Sequence, residues 1–278
     1  MATAYFMELV TKMTQADTDQ EHIDMIIYSR PSIPDRTKYI LGESKESPLP
    51  AMIEVGKTLV EQHATRIAIP CITAHYFHDE LENAIRVPII HGIAETVQYL
   101  SKRGYRSAGI MATDGTVRTG LFTEELRKKN MTAIYPDETG QAYVMDLIYR
   151  NVKAGKPVDM EKFQAVADEL HRKGAEVILL GCTELSLIKR DYPLQAGFLD
   201  VMEVLAKCSV ESCAVLKEEY KGLETEVEAR LKKTCLEKLL SERDVPYYYE
   251  FHDSLPLTPV FKPDKIALMK MDEEEMKA

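Results

Sequence analysis

The sequence predicts an α/β fold with mostly parallel sheets. Short apolar runs alternate with amphipathic helical segments from the start of the chain to about residue 220. The runs are continuously apolar, which is typical of parallel strands buried on both faces. Alternation of this kind indicates sheets flanked by helices.

The elements follow in order along the chain. Strands are predicted on the apolar runs "IDMIIYS" (23–29), "RIAIP" (66–70), "VPII" (87–90), "RSAGIMA" (106–112), "MTAIY" (131–135), "EVILL" (176–180) and, more weakly, "AGFL" (196–199). Helices are predicted where apolar residues recur at helical spacing, at 2–14, 51–63, 74–85, 92–103, 117–129, 138–154, 159–173 and 200–219. Beyond these, residues 221–278 are predicted to be a charged helical segment, then an irregular Pro- and Tyr-rich stretch and an acidic tail.

Composition limits the classes of function. The 278 residues are 45% hydrophobic and 29% charged, with a formal net charge of −10. An acidic chain without a basic stripe is not expected to bind nucleic acid. No apolar run approaches ~18 residues and the first residues lack a basic region, so we expect neither a membrane span nor a signal peptide, and a cytoplasmic location.

Five cysteines occur in the chain, and none forms a CxxC pair. Without an export signal they are expected to be reduced. Cys208, Cys213 and Cys235 fall at helical spacing among apolar residues, which favours a packing role. Cys71 and Cys182 differ, because each ends a strand-like run.

Two segments repeat the same pattern, "ATRIAIPCITAH" (64–75) and "GAEVILLGCTEL" (174–185). Each is a strand, then a cysteine, then a threonine, then a helix. Ligands of open α/β sheets bind beyond the carboxyl ends of strands, so two facing halves would set two thiols across one cleft. Backbone N–H groups and the helix dipole favour a thiolate there. The pattern therefore indicates a two-base proton transfer, the chemistry of a racemase, with no cofactor.

The same residues allow other kinds of site. "CITAHYFH" offers Cys71, His75 and His78 as metal ligands, but the segment after Cys182 has no matching cluster, so no metal is expected. A Cys71–His75 nucleophile pair would leave Cys182 unexplained. "ATDGT" (112–116) lacks the further glycines and lysine of a nucleotide site.

Several stretches resemble the aspartate/glutamate racemase superfamily. They are "PCITAH" (70–75), "GCTEL" (181–185), 11–42 with "IPDRT", "VPIIHGIAETV" (87–97), "GIMATDGTVRTGLF" (109–122), "NVKAG" (151–155) and "FLDVMEVLAKCSVE" (198–211). The resemblance covers residues 1 to about 220. It implies two similar α/β domains, 1–93 plus 199–220 and 94–198, with the active site in the interdomain cleft and 221–278 as an extension. It also implies racemisation of aspartate or glutamate without pyridoxal phosphate, and a homodimer.

The same resemblance assigns roles to individual residues. Cys71 and Cys182 match the catalytic cysteines. The remaining matches are at substrate-binding positions: Thr73, Thr116 and Thr183 toward the α-carboxylate, Arg36 and Lys153 toward the side-chain carboxylate, and also Ile72 and Thr113. His22 is implied to lie near the site, while His91 either lines the cleft or forms a turn.

The chain departs from the family pattern at two places. Ile72 stands where an asparagine is usual, so one substrate hydrogen bond is expected to be missing. Family members also begin with a strand and a glycine-rich turn before the helix that starts here at "MATAYF", so the first strand is expected to be missing. The start is then misassigned or truncated, the protein is a degenerate relative, or "KIALMK" (265–270) fills the gap. The alternative function is a non-catalytic relative that binds a small carboxylate or acts as a scaffold.

Overall fold

A computed structural model of the chain describes residues 1–215, 217 and 220. The predicted α/β class is confirmed. The chain folds into parallel strands connected by helices, and every described strand pair is parallel. Within the described residues, no helix is both long and apolar enough to cross a bilayer.

Two sheets carry the described strands. The larger contains β3 (Ser107–Met111), β4 (Thr132–Ile134), β5 (Val177–Leu180) and β6 (Phe198–Asp200) in the order β4-β3-β5-β6, and the smaller contains β1 (Ile67–Ala68) and β2 (Ile89–Ile90). Ile110 pairs with Leu179 at the centre of the larger sheet. These six strands lie within or overlap the predicted runs from 66–70 to 196–199.

The continuous apolar run of β5 has a direct structural cause. All four of its residues are fully buried. Val177 and Leu179 belong to one hydrophobic cluster, with Phe122 and Val201, whereas Ile178 and Leu180 belong to another on the opposite face. Successive side chains of a strand point to opposite faces, so a strand covered by helices on both sides has no position for a polar residue.

Eleven α-helices lie in the described part of the chain. They are α1 (Ala2–Met13), α2 (Arg36–Leu41), α3 (Leu49–Glu61), α4 (His78–Ile85), α5 (Gly92–Lys102), α6 (Asp114–Thr119), α7 (Leu121–Lys128), α8 (Glu138–Met145), α9 (Met160–Arg172), α10 (Thr183–Asp191) and α11 (Val201–Cys213).

The predicted strand at 23–29 was wrong. This segment is irregular, and among the described residues its backbone forms no hydrogen bond to a neighbouring strand. Ile26, Ile27 and Tyr28 are 44–47% exposed. An apolar run becomes a strand only when another strand pairs with it, and here none of the described strands does.

Several helices also differ from the predictions. The one predicted at 200–219 ends at Cys213, because the backbone at Ala214 is extended, and α2 (Arg36–Leu41) was not predicted. The helix predicted at 117–129 is divided at Gly120, whose φ of 66° is left-handed. The one predicted at 74–85 begins as a 3₁₀ turn, Ile72–Phe77, and the one at 138–154 continues from α8 into a π-helical turn, Asp146–Val152. The predictions for 221–278, including a strand at 265–270, lie outside the described residues.

Candidate active site

A large cleft lies at the carboxyl ends of β1 and β5. It has a volume of about 1550 Å³, and both Cys71 and Cys182 line it. Cys71 follows β1 and immediately precedes the 3₁₀ turn Ile72–Phe77, whereas Cys182 follows β5 and caps α10. We call this space the thiol cleft. The two repeated sequence segments thus bring their cysteines to one cavity.

Cys182 is buried against a carboxylate. Its side chain is 8% exposed, and its Sγ donates a hydrogen bond to Oε2 of Glu184 at 2.9 Å. Burial raises the pKa of Cys182 well above its usual value, and the charges of Glu184 and Cys71 raise it further. A buried thiol beside a carboxylate therefore keeps its proton. The effect of Cys71 on Cys182 also means that the two thiols are electrostatically coupled.

Cys71 is partly buried and contacts a guanidinium group. Nη2 of Arg36 donates to Sγ of Cys71 at 3.5 Å, and Nη1 donates to the carbonyl oxygens of Ile33 at 3.3 Å and Pro34 at 3.0 Å. The charge of Cys71 raises the pKa of Arg36. Arg36 is thus fixed at the thiol by the backbone that precedes α2.

Four threonine hydroxyls form a cluster beside Cys71, which we call the hydroxyl cluster: Thr37, Thr73, Thr113 and Thr116. Oγ1 of Thr73 lies 3.0 Å from Oγ1 of both Thr113 and Thr116, and Thr37 donates to Thr113 at 3.3 Å. All four side chains are buried. Three of these threonines were predicted from the sequence; Thr37, which follows Arg36 in "PDRT", was not.

Gly115 allows α2 to approach the hydroxyl cluster. A Cβ at this position would lie 3.0 Å from Cα of Thr37 and 3.1 Å from its hydroxyl oxygen. These contacts are shorter than ordinary van der Waals distances. The glycine in "ATDGT" therefore lets α2 pack closely against α6.

Lys153 and Thr183 meet at Glu184 on the other side of the cleft. Nζ of Lys153 lies 4.0 Å from Oε1 of Glu184 and 4.2 Å from the ring centroid of Tyr149. Thr183 donates to Oε2 of Glu184 at 3.0 Å. Burial lowers the pKa of Lys153, but the charge of Glu184 and other nearby groups outweighs it, and the pKa is raised. Glu184 was not predicted from the sequence, although it stands two residues after Cys182.

Ile72 contributes an apolar side chain rather than a polar one. It is 2% exposed and belongs to the hydrophobic cluster that includes Ile93 and Val97, although part of the residue borders the cleft. The space where an amide is usual is thus filled by packed hydrocarbon. No hydrogen bond to a substrate can come from this side chain.

Three histidines lie together below the strand end that carries Cys71. The ring centroids of His75 and His91 are 5.2 Å apart, and those of His78 and His91 are 4.3 Å apart. His75 bonds through Nε2 to the carbonyl of Ile69 at 3.1 Å, which holds the backbone just before Cys71. His91 caps α5, because its Nδ1 accepts a hydrogen bond from the N–H of Ala94. Of the two roles expected for His91, lining the cleft or forming a turn, this contact fits the turn.

No group in the described residues could hold a metal ion through three or more His, Cys, Asp or Glu side chains. Within the described ranges, Nδ1 of His22, of His75 and of His78 is buried without a hydrogen-bond partner, although Nδ1 of His78 lies 3.5 Å from Oδ1 of Asp79. His22 does not border the thiol cleft.

The fold and the cleft define an α/β protein whose two strand-end thiols share one cavity. The family model for Asp/Glu/Hydantoin racemase matches residues 1–209. The chain is similar to the broad specificity amino-acid racemase RacX of Bacillus subtilis, with 25% identity over 205 residues, 72% of this chain and 86% of that protein. The chain belongs to the Asp/Glu/Hydantoin racemase family, and the predicted superfamily is confirmed.

Solved structures agree with this assignment. The chain is similar to Picrophilus torridus aspartate racemase at 30% identity and a TM-score of 0.68, over 79% of this chain and 93% of that one. A putative Asp/Glu racemase from Yersinia pestis shares the fold, with a TM-score of 0.64 at 20% identity, over 76% of this chain and 93% of that one.

Proposed function

We propose that the protein is a cofactor-independent amino-acid racemase that interconverts the L and D forms of aspartate or glutamate by proton transfer between two thiols. One observation carries the proposal: Cys71 and Cys182 line the same cleft at the ends of parallel strands. Membership of the racemase family supports the reaction class. The similar proteins support amino acids as substrates.

The reaction needs a base on one face of the α-carbon and an acid on the other. One cysteine, as thiolate, takes the α-proton, and the electrons of the broken C–H bond move into the carboxylate. The other cysteine, as thiol, then gives its proton to the opposite face of the carbon. The products are the inverted amino acid, a thiol where the thiolate was, and a thiolate where the thiol was.

The polar groups of the cleft suit an anionic substrate. The hydroxyls of Thr73 and Thr113, with that of Thr183, can donate to the α-carboxylate. Arg36 and Lys153 border the cleft and supply positive charge toward a second carboxylate. The electrons that enter the carboxylate during proton removal are stabilised by the same donors.

The proposal is tested by α-proton exchange in deuterium oxide. L-aspartate and L-glutamate are incubated with the protein, and the α-proton signal is followed by NMR together with chiral chromatography. The parent protein should exchange the proton and form the D enantiomer. Cys71→Ser and Cys182→Ser should each lose racemisation, whereas Cys208→Ser, which changes a free thiol that does not line the cleft, should retain it. Full racemisation by either of the first two variants would reject the two-thiol reaction.

A second candidate is a relative that binds a small carboxylate without converting it or acts as a scaffold. The strands of the smaller sheet have two residues each, and the neighbouring segment 23–29 is unpaired among the described strands. The strand before Cys71 therefore pairs on one side only among the described strands, whereas β5, before Cys182, pairs on both, and proton transfer needs well-fixed groups. Aspartate binding by calorimetry, with no α-proton exchange in the same sample, would select this candidate.

We also propose a homodimer located in the cytoplasm. Support for the dimer comes from the resemblance to paired racemases, and sedimentation velocity would test it. A reducing compartment suits a reaction that needs two free thiols. Cell fractionation, with a known cytoplasmic enzyme as marker, would test the location.

A further inference from the structure

We propose that the two thiols are unequal in the resting protein: Cys71 is the proton acceptor, paired with Arg36, and Cys182 is the proton donor, with its hydrogen held by Glu184. The inference rests on the proposed two-thiol reaction and adds a direction to it. Two equivalent cysteines would not distinguish the proton acceptor from the proton donor in the resting protein.

The first step is the contact of Cys71. A guanidinium N–H donates to its Sγ, and two backbone carbonyls hold the same guanidinium in place with no substrate present. Arg36 cannot lose its proton in the physiological range, so it presents a permanent positive charge to the sulfur. A positive donor stabilises a thiolate over a thiol.

The second step is the contact between Cys182 and Glu184. Its effect on ionisation of the thiol is opposite to the effect of Arg36 on Cys71. Here the sulfur is the donor, and the acceptor is a carboxylate oxygen of Glu184 at 2.9 Å. Thr183 donates to the same oxygen, and Nζ of Lys153 lies 4.0 Å from the other one, so both oxygens of Glu184 have a polar neighbour. A negative acceptor stabilises a thiol and opposes a thiolate. Burial of Cys182 acts in the same direction, raising its pKa well above the usual value.

The unequal pair has a kinetic consequence. After one turnover Cys71 carries the proton and the thiolate of Cys182 stands beside Glu184, an arrangement disfavoured by like charge. Solvent must then return a proton to Cys182 and remove one from Cys71. One enantiomer uses the abundant resting form, while the other binds only the scarce form, which lowers its apparent affinity.

This consequence appears in kcat and KM separately. The two enantiomers have equal free energies, so kcat/KM is equal in both directions. The enantiomer that needs the scarce form is expected to show both the higher KM and the higher kcat. Glu184→Gln should reduce this difference between the directions, because it removes the negative charge beside Cys182.

The direct test measures the ionisation of each thiol without substrate. Iodoacetamide labelling is followed at each cysteine by mass spectrometry across a range of pH, and the midpoint of the rate profile is compared rather than the rate, since burial changes the rate. Thiolate ultraviolet absorbance of the parent, minus that of Cys71→Ser or of Cys182→Ser, follows the ionisation of each thiol without a need for reagent access. The midpoint for Cys71 should be the lower one.

Two variants test whether Glu184 and Arg36 cause the difference between the midpoints of the two thiols. Glu184→Gln should lower the Cys182 midpoint by about one pH unit or more and leave that of Cys71 nearly unchanged. Arg36→Met should raise the Cys71 midpoint instead. Matched controls are Asp191→Asn, on the same helix as Glu184, and Arg30→Met, which pairs with Glu54. Neither control should move a midpoint.

Equal midpoints in the parent protein would overturn the inference, as would a Cys182 midpoint that ignores Glu184→Gln. The comparison within the parent protein needs no substitution in α2 or α10, so a variant that fails to fold does not prevent the test. A protein with unequal midpoints but no α-proton exchange would keep this inference about the thiols and reject the proposed racemisation.

Discussion

Replacement of Asp200 by asparagine is expected to reduce the dependence of folding stability on pH. Asp200 ends β6 and is fully buried. Its Oδ1 accepts hydrogen bonds from the hydroxyl of Ser186 at 2.7 Å and from the N–H of Met202 at 2.9 Å, whereas Oδ2 is buried without a partner in the described part of the chain. Burial, with the charge of Glu203, raises the pKa of Asp200 to about 7, and the charge of Lys189 opposes this.

The sign follows from proton binding in the two states. In the unfolded chain an aspartate titrates near 3.8, so between that pH and about 7 the folded state holds a proton that the unfolded state has released. Stability therefore falls as pH rises through this window and is level above it. A shift of this size, at about 1.4 kcal/mol per unit, corresponds to roughly 4 kcal/mol.

The assay is urea unfolding followed by circular dichroism at a series of pH values. The asparagine side chain does not ionise, so the free energy of unfolding of Asp200→Asn relative to the parent should increase from acid pH to about pH 7. Asp191→Asn is the control, since Arg190 lowers the pKa of that exposed carboxylate and its removal should act in the opposite direction. Parallel stability curves for Asp200→Asn and the parent would refute the reasoning.

Three further outcomes are expected. Gly181→Ala should lower the free energy of unfolding by about 1–3 kcal/mol, because a Cβ would lie 3.0 Å from the ring of Phe122 and 3.3 Å from the carbonyl of Met111; an unchanged urea midpoint would contradict this. The His75 ring should stay neutral down to about pH 5 by NMR, since burial lowers its pKa to about 3, and a titration near the usual value would be inconsistent. Cys208 should react with iodoacetamide far more slowly than a free thiol at neutral pH, because burial raises its pKa to about 12; labelling at the free rate would show otherwise.

Sequence reasoning located most strands but could not determine pairing. Six apolar runs became strands, and in β5 the pattern followed directly from burial on both faces. The run at 23–29 is also mostly apolar but is irregular, because pairing depends on a neighbour that local sequence does not describe. Gly120 divides a helix through one left-handed residue, a feature that helical periodicity averages over.

The candidate site was predictable in its members and less so in its contacts. Strand-end position indicated Cys71 and Cys182, and the structure brings both to one cleft. The hydrogen bond of Arg36 to Cys71 joins residues 35 positions apart, and no local pattern reports it. Glu184 was missed because its effect depends on a side-chain orientation that turns it back toward Cys182.

The π-helical turn at Asp146–Val152 fixes where Lys153 emerges. Such a turn arises when one additional residue is accommodated within an α-helix without changing the flanking segments. Loss of one residue there would restore ordinary helical winding and rotate the following backbone by about 100°. Lys153 would then leave the side of Glu184 and Tyr149, so the length of this short segment, as much as its composition, limits which insertions and deletions the lineage can tolerate.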